Sequence, residues 1–562
     1  MNKRKPGHTW ARWAIGLLWM IILLVVLFKL ITPVHPPTGE GETEPLPDRI
    51  EVGDRQYTCQ ESWLKQNSYG LWEMYLEGSD FQLGVKNGIL ARDLIRYQEE
   101  VFVEKLREMV PSDIYLNFLK QVVVWMNRNL DRHIPVEYQR EIYGVALYAS
   151  DSFNFIGPAY QRILSYHAAH DLGHALQNMN LVACTALEVN GQRSADGNLM
   201  VGRNFDFSMG EKFAREKIIA FYKPEKGYRF ASVTWGGMIG VVSGMNDQGL
   251  VVTLNAAKSG IPGSSKTPVS ILARQILQYA SNISEAYEIA GNSETFVSES
   301  FLVSSASDNR TVVIEKSPSN IALYDPGGDY LVLTNHFQSE TFRNSELTLR
   351  NIAEGASMYR WERTLELMES TQKHDQNSFA LLLRDQNGMG GKPIGMGNEK
   401  AVNQLIAHHS VIFKPSELKM WVSTSPYQLG TYLCYDLNSV FADSTGVSDQ
   451  IWLEKRSIAP DPFLDSEQFR SYREYTRETL RLKAHIEQGV AGSVSNAELE
   501  AYLGLNPFYY YPWFIAGEIF RINGELQRAS EMYKQSLSRE IPREVDRKQV
   551  KEAMESIDKG IR

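Results

Sequence analysis

The stretch "LVACTALEVNGQRSADGNLMVGRNFDF", residues 181 to 207, limits the possible fold more than any other part of the chain. Upstream of it, apolar residues recur every three or four positions, as in "ARDLIRYQEEVFVEKLREMV" and "IYLNFLKQVVVWMNRNL", so Leu71 to about Met179 reads as mainly helical. At Ala183 the period changes. A strand-like run opens on a cysteine, turns near Asp196-Gly197 and returns through "GRNFDF". The runs "FASVTW", "GVVSGM" and "LVVTLN" continue a meander of antiparallel strands. A helical segment "VSILARQILQYASNISEAYEIA", hairpins around "SDNRT" and "DPGGD", the helix "SMYRWERTLELMES" and the strands "MWVSTS" and "YLCYDL" follow. Strands flanked by helices on both sides predict a layered α+β domain.

Cys184 is one of three cysteines, with Cys59 and Cys434. Three are too few for a disulfide framework, no Cys-x-x-Cys pair is present, and at least one thiol is unpaired. A free cysteine is ordinarily a small buried hydrophobe, the reading given to Cys59 and Cys434. Cys184 has different neighbours. In a hairpin closed near Asp196-Gly197 the returning strand brings Arg203, Asn204 and Asp206 beside the start of the first strand. A guanidinium close to a thiol is expected to favour thiolate.

With these residues in view, "CTALEV" followed by "DGNLMVGRNFDF" resembles the opening of the N-terminal nucleophile (Ntn) hydrolases of the penicillin acyltransferase and choloylglycine hydrolase group. The resemblance continues in order through "GMNDQGLVVTLNAA", "YLVLTNHF" and "SMYRWER", and upstream through "YLEGSDFQLGVKNGIL" and "EIYGVALYASD", over about residues 70 to 440. It implies a four-layer αββα sandwich and a nucleophile, Cys184, freed by cleavage of the bond before it. The released α-amine, with an ordinary pKa near 7.7 to 8, would serve as base at neutral pH. By the same resemblance Asp206 orients that amine and Arg203 steers the thiolate and the scissile carbonyl. Asn255 donates to the oxyanion, Asn335 binds the amine or substrate, and Arg360 anchors the network, with Arg363 in reserve. The reaction implied is hydrolysis or acyl transfer at linear amide bonds of a small N-acyl substrate, without cofactor or metal. Two features depart from the pattern: Ala183 stands where acyltransferase precursors commonly place Gly, and 183 residues precede the thiol.

The N-terminus carries the clearest physical signal. Lys3, Arg4, Lys5 and Arg12 precede an apolar run from Trp13 to Phe28 that Leu30 and Ile31 extend. "KLITPVHPP" offers no small-x-small cleavage site, which favours a retained anchor over a signal peptide. The basic flank then keeps residues 1–12 cytoplasmic, 13–32 span the cytoplasmic membrane once, and the catalytic domain is extracytoplasmic. Residues 33–49, rich in Pro and Gly, read as a linker, 50–183 as a helical pro-segment, 184–445 as the catalytic domain and 462–562 as a helical extension. Within that extension "WFIAGEIFRINGELQRASEMYKQSLS" has the layout of one tetratricopeptide-like helix pair, a candidate site for a protein partner.

A formal net charge of −9 argues against nucleic-acid binding. His167, His170 and His174 share a helix face with Asp171 nearby, but lack the His-Glu-x-x-His spacing and read as packing residues. "GMGGKPIGMG" is not a phosphate loop. The competing account of the whole chain is a catalytically silent, membrane-tethered binding or scaffold protein of the same fold.

Overall fold

The computed structural model describes residues 7–37, 46–169, 171, 182–260, 264–442, 446–489 and 494–561. The expected hairpin is present: Val182–Val189 pairs antiparallel with Met200–Phe207, setting Ala183 opposite Asp206, Cys184 opposite Phe205 and Ala186 opposite Arg203. It sits in a six-stranded sheet ordered Tyr330–Leu333, Val182–Val189, Met200–Phe207, Ala407–Lys414, Lys419–Ser423, Tyr432–Asp436. An eleven-stranded sheet runs in chain order from Ile50–Gly53 to Ile321–Tyr324, omitting the strands of the smaller one.

The alternation of side chains along these strands sorts the core into separate clusters. Ala186, Val201, Leu333, Val411 and Val422 of the smaller sheet meet Ile219, Phe221, Val233, Val251 and Leu302 of the larger one in a single inter-sheet cluster. The other face of the smaller sheet, with Leu187, Met200 and Ile412, packs on Met368 of helix Ser357–Glu369 and Phe379 and Leu383 of helix Gln376–Leu383. The other face of the larger sheet, with Met74, Ala220, Tyr222 and Val252, is covered by the helices before residue 168 and by Val269–Tyr279. The described residues form a mixed α+β protein with two sheets.

Three local expectations change. The segment expected to be helical opens with four strands, Ile50–Gly53, Gln56–Cys59, Ser62–Gln66 and Trp72–Gly78, and the last pairs in parallel with Ile218–Pro224. Runs of four to seven residues are too short to display a period, and tertiary pairing decides them. "DPGGD" is a crossover: Ile321–Tyr324 closes the larger sheet, and Tyr330 begins the smaller one opposite Val189. The long helical segment is two helices, Val269–Tyr279 and Ile283–Asn292, broken where the Asn282 side chain accepts from Glu285 N at 3.0 Å and caps the second.

Gly7–Ile31 is one helix, and its Trp13–Ile31 portion is long and apolar enough to cross a membrane, with no part of it buried in the protein. Thr32 and Val34, just beyond, are buried; the Thr32 carbonyl accepts from Gln161 Nε2 at 3.0 Å and Val34 joins the helix-side core. At the other end, five helices from Glu467–Glu487 to Glu544–Ile561 share a core with Leu405 and Leu429. The pair Tyr510–Ile522 and Leu526–Leu537 turns at Asn523-Gly524, and Gly517 lets the Tyr533 ring come where a Cβ would stand 2.5 Å away.

Candidate active site

The two-residue period of the hairpin divides its polar residues between two faces. Cys184, Arg203 and Phe205 share the inter-sheet side, whereas Thr185, Asn204 and Asp206 point toward the helices. The guanidinium therefore meets the sulfur, with Arg203 Nη2 3.2 Å from Cys184 Sγ. The rest of that guanidinium is fixed by the larger sheet. Nη1 donates to Val242 O at 2.9 Å and Ser243 Oγ at 2.5 Å, and Nη2 also donates to Leu254 O.

The main chain of Cys184 is held from the other side. Its N–H donates to Asn335 Oδ1 at 2.9 Å, and its carbonyl accepts from Arg360 Nη1 at 2.7 Å. Arg360 also donates to Thr185 Oγ1 at 3.0 Å and, through Nη2, to Asn335 Oδ1 at 2.7 Å. In this intact chain the Cys184 nitrogen is a peptide amide; in a chain cut before it, the same atom would be the α-amine. Asn335 directs Nδ2 to Ala256 O at 2.9 Å, and its own backbone is pinned by Ser357 Oγ at 2.8 Å.

Asn255, on the adjacent strand of the larger sheet, directs its amide to Leu333 O at 3.3 Å and Thr334 O at 3.1 Å. Its Oδ1 has no hydrogen-bond partner among the described residues. Asp206 is buried; Gln404 Nε2 donates to its Oδ2 at 3.1 Å, and Oδ1 is unpartnered among the described residues. Arg363, one helical turn from Arg360, instead makes two 3.0 Å bonds to Asp385 and a 2.9 Å bond to Glu366.

Burial outweighs charge at these groups. The Cys184 thiol is wholly buried and pushed up to about 11 by desolvation, against the opposing pull of Arg203. The guanidinium pulls toward thiolate, as expected, but in the intact chain burial outweighs it: Arg203 shares its charge with two carbonyls and a hydroxyl, and the sulfur is fully enclosed. Burial likewise raises Asp206 to about 7, with Arg360 and then Arg203 opposing.

Sequence reasoning missed a chain of polar groups behind Arg203. Because Arg203 only donates, Ser243 Oγ accepts from it and passes its own hydrogen to His409 Nε2, 2.8 Å away. His409 Nδ1 then donates to His408 Nδ1 at 2.9 Å. Burial holds both imidazoles neutral, far below their ordinary pKa. The tandem histidines of "AHHSVIFK", in the strand paired beside Arg203, were the available signal. Glu299 was also missed. It is buried near Cys184, its oxygens have no hydrogen-bond partner among the described residues, and desolvation raises its pKa, with Asp171 adding to the rise.

His167 is a packing residue. Its Nδ1 faces Ile163 O at 2.9 Å, its Nε2 accepts from Ile239 N at 3.0 Å, and burial lowers it to about 4. His170 and His174 lie outside the described residues. Cys59 and Cys434 are buried free thiols.

The Cys184 sulfur, main-chain nitrogen and carbonyl thus meet Arg203, Asn335 and Arg360 in one buried polar cluster. Residues 193–425 match the model of the family described as acyl-coenzyme A:6-aminopenicillanic acid acyl-transferase, a span that holds Arg203, Asp206, Asn255, Asn335 and Arg360 and begins just after Cys184. The N-acylethanolamine-hydrolyzing acid amidase of Caenorhabditis elegans is 26% identical over 236 residues, 40% of this chain and 62% of that protein. An uncharacterized protein of Archaeoglobus fulgidus is 25% identical over 264 residues, 44% of each chain. The chain thus spans less than two thirds of the length of either relative.

Among solved structures, the C. elegans N-acylethanolamine-hydrolyzing acid amidase ortholog aligns with 42% of this chain and 93% of its own (19% identity, TM-score 0.31). A mutant of the conjugated bile acid hydrolase from Clostridium perfringens aligns with 48% and 95% (13% identity, TM-score 0.32). Residues 193–425 are thus similar to the acyl-coenzyme A:6-aminopenicillanic acid acyl-transferase family.

Proposed function

We propose that this chain is a membrane-anchored cysteine amidohydrolase or acyltransferase of the Ntn type, acting on linear N-acyl amide bonds and activated by cleavage between Ala183 and Cys184. The two sheets with helices outside each would form the αββα sandwich, and Trp13–Ile31 the anchor. The observation that carries the proposal is the convergence on one residue: the Cys184 sulfur on Arg203, its nitrogen on Asn335 and its carbonyl on Arg360.

In the intact chain Val182 and Ala183 continue the strand beyond the nucleophile, opposite Phe207 and Asp206. Cutting before Cys184 would free the nitrogen, uncover the strand edge and admit solvent and substrate to a sulfur now sealed. The α-amine would take the thiol proton as sulfur attacks the amide carbonyl, then return it to the departing amine, leaving a thioester for water or another acceptor to resolve. Asp206 would hold that amine in its charged intervals. Asn335 directs a single N–H to protein and has a second for the oxyanion, whereas both Asn255 N–H groups face carbonyls. Asn335 is therefore the better-placed oxyanion donor, with Asn255 tying the sheets together beside it.

A cavity lined by Ile95, Phe102, Phe207, Phe213, Trp235 and Met238 lies between the segment before Cys184 and the catalytic strands. Phe205, opposite Cys184, stacks on Phe207 and Trp235 and so connects this apolar cavity to the nucleophile. That arrangement fits an apolar acyl group on an amide; the nematode relative is named for hydrolysing N-acylethanolamine. Incubating the purified protein with a panel of acyl amides, with and without iodoacetamide, tests the proposal. Hydrolysis that disappears as Cys184 is alkylated supports it; an unreactive thiol and no turnover on any amide favour the silent scaffold.

A further inference from the structure

Helix Asp113–Met126 has no buried residue. Its inner side packs on the helix-side core through Val123 and Met126. The outer side is apolar too: Ile114 is 84% exposed, Phe118 60% and Trp125 43%. These positions, i, i+4 and i+11, form one stripe along the helix. Phe155, also exposed, adjoins it, because Lys120 Nζ donates to the Phe155 carbonyl at 3.0 Å. Cations rim the patch. The Arg107 guanidinium lies 5.9 Å from the Phe155 ring, and that of Arg128 sits 4.1 Å over Trp125 while donating to the Trp125 carbonyl at 2.6 Å.

The neighbouring apolar helix indicates what covers this face. Phe28, in its last turn, stacks on Trp125 with ring centroids 6.0 Å apart. Trp13–Ile31 holds 19 residues, about 28 Å of helix, close to the roughly 30 Å of a bilayer core. Phe28 precedes the end of that run by three residues, so Trp125 stands at the depth where hydrocarbon gives way to headgroups. Tryptophan concentrates at this boundary, and arginine beside it reaches outward to phosphate.

We propose that the outer face of helix Asp113–Met126 lies in the membrane interface as a second contact. Ile114, Phe118 and Trp125 enter the tops of the acyl chains, and Arg107, Lys120 and Arg128 meet the phosphate headgroups. The contact rests on the proposed anchor and orients the body against the bilayer. It also brings the helices that wall the apolar cavity, through Ile95, Phe102 and Ile163, close to the lipid surface.

The test uses the full chain in liposomes of phosphatidylcholine and phosphatidylglycerol, labelled with an environment-sensitive fluorophore at Phe118→Cys, Gly16→Cys or Glu500→Cys; the three native thiols are buried. The Phe118 and Gly16 labels should emit to the blue of the Glu500 label and lose more than about half of their emission to spin-labelled acyl chains, as expected for side chains roughly 5 to 10 Å into the interface or deeper. Quenching at Gly16 with none at Phe118 overturns the second contact and leaves the anchor standing. A blue-shifted but unquenched Phe118 label, the sign of a second protein copy on this face, overturns it as well. No quenching at either position overturns both readings. Quenching at Phe118 alone supports the interface contact and removes the anchor.

Discussion

Cys184 and Cys434 stand in strands of the same sheet, both fully buried and both free. Burial pushes both thiols up, to about 11 and about 12. Their surroundings are what separate them. Cys434 faces Trp421 across the strand pair and packs among Met200, Ile412 and Tyr432. Around Cys184 the chain has assembled a guanidinium for the sulfur, an amide oxygen for the nitrogen and a second guanidinium for the carbonyl, from the paired strand, a loop and a helix. A buried thiol is common; one whose main-chain nitrogen and oxygen are both held by side chains needs a reason, and the proposed cleavage before Cys184 would supply it.

The sharpest way to break this contrast is to truncate each thiol. Cys184→Ala should lower amide turnover by roughly 10⁴- to 10⁶-fold, as for a nucleophile that acts as one unit with its base. Cys434→Ala should keep full turnover and lose only about 1 kcal/mol in urea unfolding, the cost of a small cavity. Equal effects on turnover would end the distinction. Next comes the oxyanion: Asn335→Ala should cut kcat by roughly 100- to 1000-fold. Retained kcat with a raised KM would move Asn335 to substrate binding alone.

Arg360 and Arg363 repeat the contrast on a single helix. Arg360→Lys should lose about 1.5 to 3 kcal/mol of transition-state stabilisation, one to two orders of magnitude in kcat/KM, because an ammonium cannot reach the Cys184 carbonyl, Thr185 and Asn335 together. Arg363→Lys weakens the Asp385 and Glu366 bonds, so it should lower thermal stability and spare turnover.

The smallest effect is on acid stability. His409 is held neutral, with a folded pKa far below the 6.5 of an unfolded chain. Its contribution is therefore present above about pH 6.5 and is lost as pH falls below it. Asp206 and Glu141, both raised to about 7, have the opposite sign: their contribution is present at low pH and lost as pH rises through about 7. Comparing His409→Gln with the wild type isolates the histidine. The variant's melting temperature should fall less steeply between about pH 6.5 and pH 4.5, and parallel curves would refute a buried neutral His409.

What the sequence disclosed followed from contiguity. Cys184, Arg203 and Asp206 share one hairpin, and a turn plus a two-residue period suffices to set them side by side. Asn255 and Asn335 fall at strand ends that an ordered set of motifs could mark. Ser243, His408, His409 and Glu299 come from three further strands, two of them in the other sheet, and no local pattern links them to Arg203 or Cys184. The strands between Ile50 and Gly78 were hidden by their shortness, and the parallel pairing of the last of them, Trp72–Gly78, with Ile218–Pro224 is settled across the helical segment and the Cys184 hairpin that lie between the two. The thiol's electrostatics depended on desolvation, which pattern does not carry: Arg203 was foreseen, but the sealing of the sulfur was not.

One measurement bears most directly on Cys184 as a chain terminus. Intact mass together with N-terminal sequencing of the wild type and of Cys184→Ala, each purified under denaturing conditions, reads the ends of every chain. The account predicts two polypeptides in the wild type, the second beginning at Cys184, and one uncut chain in the variant. A single uncut wild-type chain that nevertheless hydrolyses amides would contradict it.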